Sequence, residues 1–167
     1  FRIMNRIKTF LAMVLLPMLA AAQTVTSPNG KVKLMFSLTD NGAPTYALTF
    51  KDKPVVKPSR LGLELAKDKH ASRKMKETDL MDGFKITDTK TSAFDETWKP
   101  VWGETATIRN HYNELAVDLA QPSSKRTMTI RFRVYDDGMG LRYEFPQQQS
   151  LNYFVVKEEH TQFAMAG

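Results

Sequence analysis

The sequence contains no cysteine. That absence excludes disulfide frameworks, thiolate-held zinc, iron–sulfur clusters and thiol nucleophiles together. It does not place the chain in the cytoplasm, since exported proteins also do without cysteine. Histidine is scarce as well. His70, His111 and His160 are far apart, with no HExxH or HxH spacing, so no zinc site is expected. There is no GxSxG elbow, no P-loop and no dinucleotide fingerprint. Nor is there an apolar run of the ~20 residues that span a bilayer.

The longest apolar stretch, "TFLAMVLLPMLAAA" at 9–22, is too short and is interrupted by Pro17. Arg2, Arg6 and Lys8 precede it, and the small residues Ala20–Ala22 close it before Gln23. This basic, apolar and small-residue layout is that of a secretory signal peptide over residues 1–22. With no cysteine after the run, a lipoprotein anchor is excluded. The expected compartment is the periplasm, with no membrane association after cleavage. The chain opens on Phe1 rather than methionine, so Met4 or a lost upstream residue is the expected start.

The signal peptide accounts for part of the basic balance. The chain holds 24 Lys and Arg against 18 Asp and Glu, a net +6. Residues 1–22 contribute three basic and no acidic residues, leaving 21 against 18, or +3. That is too mild to point to a nucleic-acid partner. The densest basic run, "KDKHASRKMK" at 67–76, reads as a solvated loop, within a polar excursion over 67–83 that could hold a short helical turn.

Past residue 22 the apolar period is two, the pattern of strands with one face buried. Val32, Leu34, Phe36 and Leu38 share a face. So do Tyr46, Leu48 and Phe50; Leu61, Leu63 and Leu65; and Leu115, Val117 and Leu119. In "TMTIRFRV", Met128, Ile130, Phe132 and Val134 alternate with Thr127, Thr129, Arg131 and Arg133. Glycine-containing turns fall at 27–31, 39–44 and 135–140, with a further hairpin at 50–55. Leu141, Tyr143 and Phe145 continue the core face, and "LNYFVV" at 151–156 reads as one more strand. Some eight to ten short strands without a convincing helix predict an all-β, antiparallel sandwich over 23–167. In the closing "EEHTQFAMAG", Phe163 and Met165 alternate as in a strand still running. The domain is therefore expected to be incomplete at its C-terminus.

The stretch "FDETWKPVWGETATIRNHYNEL" at 94–115 holds both tryptophans, Trp98 and Trp102, among acids and amides. Tryptophan offers a flat apolar face and an N–H donor, so sugar stacking is one reading. Covering a sandwich edge or docking on another domain is the other. Glycosidases need paired carboxylates roughly 5–10 Å apart. Asp95, Glu96, Glu104 and Glu114 could supply a pair, but nothing in their spacing builds a cleft. Glu158, Glu159 and His160 are consecutive and cannot all point one way along a strand. From the residues alone, then, this is an exported all-β domain without a visible active site.

Three segments carry a resemblance: "SPNGKVKLMFSLTDNGAPTYALTFKDKPVVKPSRLGLEL", the stretch at 94–115, and "IRFRVYDDGMGLRYEFPQQQSLNYFVVKEEHTQFAMAG". Together they resemble the N-terminal region of glycoside hydrolase family 97, most of all the starch-utilisation α-glucosidases of Bacteroidetes. The most specific pieces are "ETWKPVWGE" at 96–104, "IRNHYNEL" at 108–115 and "LRYEFPQQ" at 141–148. The resemblance implies a β-super-sandwich similar to galactose mutarotase, followed by a catalytic (β/α)₈ barrel that would be this domain's partner in the same chain. It implies a calcium-dependent glycosidase acting on α-linked oligosaccharides. The glucosidase branch inverts with a glutamic acid and a glutamate base, and the galactosidase branch retains with a carboxylate nucleophile.

Those carboxylates belong to the barrel, so no catalytic residue and no complete metal site is expected in this chain. The family's sandwich also lends a calcium-binding glutamate, which the pattern places just past Gly167. Trp98, Trp102, Glu104, Arg109, Asn110 and His111 match family sequence and are the candidates for substrate contact. The rival readings are a free-standing carbohydrate-binding module, the α-galactosidase branch, and a mutarotase-like epimerase needing a His/Glu acid–base pair.

Overall fold

A computed structural model describes residues 22–66 and 79–167. The signal peptide and most of the polar excursion at 67–83, His70 included, lie outside the described residues. Ten strands occur among the described residues: β1 (Gln23–Thr26), β2 (Val32–Leu38), β3 (Pro44–Phe50), β4 (Lys53–Arg60), β5 (Leu63–Leu65), β6 (Lys85–Trp98), β7 (Ile108–Gln121), β8 (Arg126–Val134), β9 (Met139–Glu144) and β10 (Val156–Glu159). One 3₁₀ turn, Gln149–Leu151, is the only helical element among them.

The first sheet has the order β1-β2-β3-β4 and the second β6-β7-β8-β9, with β5 and β10 forming a separate ribbon. Every pairing is antiparallel. This is the all-β antiparallel sandwich that the period-two pattern predicts. Alternation decides which side chains meet between the sheets. Leu34, Phe36, Tyr46, Leu48 and Val56 enter from the first, and Leu115, Val117, Leu119, Met128, Ile130, Phe132 and Val134 from the second. Phe132 joins the layers, its ring centroid 5.8 Å from that of Phe36 and 6.1 Å from that of Tyr46.

Two expectations shift. Phe50 pairs with Val32 and Lys53 beside the β3–β4 turn and is exposed, so it does not join the core face of Tyr46 and Leu48. Lys51 and Asp52 take positive φ (48° and 63°), as a two-residue type I′ turn requires, and that turn ends the buried alternation one residue early. The strand read at 151–156 begins only at Val156, because a 3₁₀ turn occupies Gln149–Leu151 and buries Leu151. After β10 the chain runs along the outer edge of β4. Gln162 N–H donates to Arg60 C=O at 2.9 Å, Lys57 N–H to Ala164 C=O at 2.8 Å, and Ala166 N–H to Val55 C=O at 2.9 Å. That edge is thereby covered instead of left open.

The β2–β3 turn is tied to the approach to β6. Gly83 N–H donates to Asn41 C=O at 2.9 Å, and Phe84 N–H to Gly42 C=O at 3.0 Å. Gly42 has φ +76°, and a Cβ there would sit 2.6 Å from the Phe84 carbonyl oxygen and 2.7 Å from its nitrogen. Both the left-handed backbone and the close approach demand glycine. Gly42→Ala is therefore expected to destabilise the domain by about 2 kcal/mol or more, read as a lowered urea midpoint. Gly30→Ala, at φ +72° but with open space around its Cβ, should cost visibly less.

Candidate functional site

The segment with both tryptophans folds into the β6–β7 hairpin. The two strands pair from Lys85↔Ala120 out to Trp98↔Ile108, whereas β7 pairs with β8 only from Asn113↔Val134 inward. Beyond that point the hairpin is a two-stranded arm that outruns the sheet. A ribbon of this kind has little stability of its own, and its base is fastened across the sandwich. Asn113 Nδ2 donates to Thr26 C=O at 2.8 Å, and Asn29 N–H donates to Asp136 Oδ1 at 2.9 Å beside it.

The two-residue period sorts the arm into faces. The outward face carries the cross-strand pairs Trp98/Ile108, Glu96/Asn110 and Phe94/Tyr112, and the other face carries Thr97/Arg109 and Asp95/His111. Of the six sequence candidates, Trp98 and Asn110 share one face, Arg109 and His111 the opposite one, and Trp102 and Glu104 sit in the exposed tip between the strands. Trp98 is 48% exposed and Trp102 88%. Arg109 grips Asp95 through both Nε and Nη2, at 2.8 and 2.7 Å, and His111 Nε2 lies 4.0 Å from the same carboxylate. The Arg109 bond holds the Asp95 carboxyl below its ordinary range.

No catalytic carboxylate pair emerges from Asp95, Glu96, Glu104 and Glu114. Asp95 and Glu96 point to opposite faces, Asp95 is held by Arg109, and Glu114 is locked by two arginines. Glu114 sits at the head of a charge lattice that sequence reasoning missed. Its Oε1 accepts from Arg131 Nη1 at 2.5 Å and its Oε2 from Arg133 Nε at 2.8 Å. Arg131 also donates to Glu144 through Nε at 2.7 Å and Nη2 at 2.9 Å, and Arg142 Nε reaches Glu144 Oε1 at 2.6 Å. Register makes the lattice: Glu114 faces Arg133 and Arg131 faces Arg142 on neighbouring strands. The outward positions of "TIRFRV" and "LRYE" were visible as charges in the sequence, but their pairing was not.

The same face carries an aromatic run. Phe94 stacks on Tyr112 (5.2 Å, 21°), Tyr135 packs against Tyr112 at 5.3 Å, and the Arg133 guanidinium lies 4.6 Å above the Tyr112 ring. Arg131, Arg133, Tyr135, Gly140, Leu141 and Arg142 line a shallow groove of about 150 Å³ next to it.

Calcium, implied by the resemblance, can be tested against the acidic groups at the β5–β10 ribbon. Glu64, Glu158 and His160 bring one ligand atom each within 4.8 Å of one another. Glu158 and His160 share a side of the chain, while Glu159 instead accepts from the Thr161 hydroxyl. Calcium takes roughly 6–8 oxygen ligands. Here one of the three donors is an imidazole, and Glu64 is already held by the Lys157 ammonium, whose hydrogen bond keeps its carboxyl below the usual value. This trio does not fit calcium.

The family model described as Glycosyl-hydrolase 97 N-terminal matches residues 25–167. The chain belongs to this family. A glycoside hydrolase family 97 enzyme from Pseudoalteromonas sp. strain K8, solved as a variant in complex with panose and also in complex with acarbose, is 34% identical to it. That match covers 86% of this chain and 20% of the other, with a TM-score of 0.74. A β-arabinopyranosidase is 22% identical over 86% of this chain and 21% of its own, with a TM-score of 0.73, a likeness of fold alone. The chain thus spans about one fifth of the length of the solved structures it matches. In family 97 terms, the arm and the lattice are features of the N-terminal sandwich.

Proposed function

We propose that this chain is the N-terminal sandwich of an exported, calcium-dependent family 97 α-glycosidase, an α-glucosidase acting on starch-derived oligosaccharides. The observation that carries the reading is the 34% identity to an enzyme captured with panose and with acarbose. Panose is an α-linked oligomer of glucose, which supports the gluco over the galacto branch. The sandwich itself is non-catalytic. It supports a barrel domain of the same chain that bears the general acid and the base, and helps to close the substrate pocket. The calcium ligands, on this reading, come together only with that barrel. The signal-peptide layout at 1–22 supports a periplasmic site of action.

The test is the enzyme encoded by the gene read through the Gly167 codon. It is expected to hydrolyse p-nitrophenyl α-glucoside and maltooligosaccharides, to lose activity on chelation and to regain it with calcium. The purified 167-residue chain is expected to hydrolyse neither. Hydrolysis of α-galactosides alone would move the protein to the other branch. Hydrolysis of no glycoside would sink the reading and leave a free-standing sugar-binding module as the account.

A further inference from the structure

The outward face of the second sheet carries one row whose chemistry alternates. From the tip of the arm inward it reads Trp98 beside Ile108, Glu96 beside Asn110, then Phe94 beside Tyr112. The rings are not equivalent. Tyr112 is only 6% exposed, covered by Phe94, Tyr135 and the Arg133 guanidinium, whereas Phe94 is 38% exposed. The accessible platforms are therefore Trp98 and Phe94, four residues apart on an extended strand and so roughly 13 Å from each other. A carboxylate and an amide lie between them. Past Phe94 the row does not stop, because Tyr135 touches Tyr112 and also lines the groove walled by Arg131, Arg133 and Arg142.

A ligand for this row needs apolar faces at the two rings and a hydrogen-bonding rim between and beyond them. Pyranose rings supply both, a C–H face for stacking on an aromatic ring and hydroxyls that donate and accept. Charge narrows the class further. Arg131, Arg133 and Arg142 are bound by Glu114 and Glu144, and Glu96 farther out on the arm brings the charge of the whole row to zero. A nucleotide, a phosphate or an acidic peptide would find no net positive charge there, while a neutral polyol needs none. Trp102, in the tip, lies off the row.

We infer that the row from Trp98 to the arginine groove is a binding site for a neutral oligosaccharide of pyranose units. Trp98 and Phe94 stack against sugar faces, and Glu96 and Asn110 hydrogen-bond the hydroxyls between them. The inner end of the ligand meets the guanidinium N–H groups of Arg133 and Arg142. That the sugar is α-gluco rests on the reading under Proposed function; the site itself rests on the row.

The experiment titrates the purified chain with maltoheptaose, cellohexaose and a galacto-oligosaccharide, following tryptophan fluorescence and the heat of binding. Maltoheptaose is expected to bind. Trp98→Ala and Phe94→Ala should each weaken it at least about tenfold, and Asn110→Ala severalfold, with the far-ultraviolet circular dichroism unchanged. Trp102→Ala should leave binding as it is. Since Phe94→Ala uncovers Tyr112, Trp98→Ala is the variant that decides if the former misfolds. Absence of binding by the native chain to all three sugars overturns the inference, as does unchanged binding by Trp98→Ala. If that happens while the complete enzyme still hydrolyses α-glucosides, the proposed function stands and the binding row falls. Binding of cellohexaose or the galacto-oligosaccharide alone, lost in Trp98→Ala, upholds the row. If the complete enzyme is then inactive on α-glucosides, it is the proposed function that falls.

Discussion

Replacing Phe132 by alanine is expected to cost the sandwich about 3–5 kcal/mol. Phe132 is fully buried on β8, and its ring meets Phe36 from β2 and Tyr46 from β3. These three rings bridge the two sheets, so truncation removes apolar burial and opens a cavity that strand backbones cannot collapse to fill. Tyr46 is doubly committed. Its hydroxyl donates to Gln162 C=O at 2.8 Å, and burial pushes its pKa up to about 12. It cannot swing into the void without abandoning that bond. Domains are stable by about 5–15 kcal/mol in total, so the variant should be marginal. At this chain length the loss corresponds to a melting point lower by roughly 6–20 °C. Urea unfolding followed by circular dichroism measures it directly. Phe132→Leu, which keeps most of the volume, should retain most of the stability. A loss below ~1 kcal/mol for the alanine variant would mean that the sheets do not pack around these rings. Phe163, exposed and in edge contact with Tyr46 from outside, should tolerate alanine with little change.

The contrast between β8 and β6 shows what the sequence could and could not disclose. In β8 every second residue is apolar and buried, so strand, face and core contribution were all readable from "TMTIRFRV". In β6, "KITDTKTSAFDETW", only Ile86 is apolar among the first eight residues, and the strand is exposed along almost its whole length. It is an edge strand held to β7 by backbone hydrogen bonds, which leave no mark in hydrophobic pattern; only its threonine content hints at extended structure. The candidate residues of 94–115 were found as a cluster because they are near in sequence. Their division between two faces required the register Trp98↔Ile108, and the tip holding Trp102 and Glu104 belongs to neither face. The lattice of Glu114, Glu144 and three arginines was invisible for the same reason at longer range, since its members come from three strands. Alternation tells which way a side chain points. It does not tell what stands opposite.

That lattice carries the second large effect. Glu114 has a side chain only 11% exposed. Burial by itself pushes its carboxyl up, but the bonds from Arg133 and Arg131 outweigh burial and leave it below the ordinary value of 4.5. Glu144 is lowered as well, chiefly by the Arg131 bond. A carboxyl depressed in the folded state contributes stability that is fully present above the unfolded value and lost as pH falls through the folded one. The lattice should therefore stabilise the domain at neutral pH and weaken it progressively below about pH 4.5. Glu114→Gln keeps the shape but removes the charge that Arg131 and Arg133 converge upon, so Arg133 loses its carboxylate partner and Arg131 keeps only Glu144. At pH 7 this should cost about 2–3 kcal/mol, less than for a fully enclosed pair because both arginines still reach water. The difference from the unmodified chain should shrink as pH falls, since below the folded value Glu114 is itself protonated and neutral. Converging stability curves between pH 7 and pH 3, measured by urea unfolding, are the signature. Parallel curves, or equal stability at pH 7, would mean that Glu114 is not the hub of the lattice. Added salt offers an independent check, because a partly enclosed lattice is screened far less than the exposed Arg109–Asp95 pair on the arm. Asp95→Asn should therefore leave the melting point almost unmoved under conditions where Glu114→Gln lowers it by several degrees.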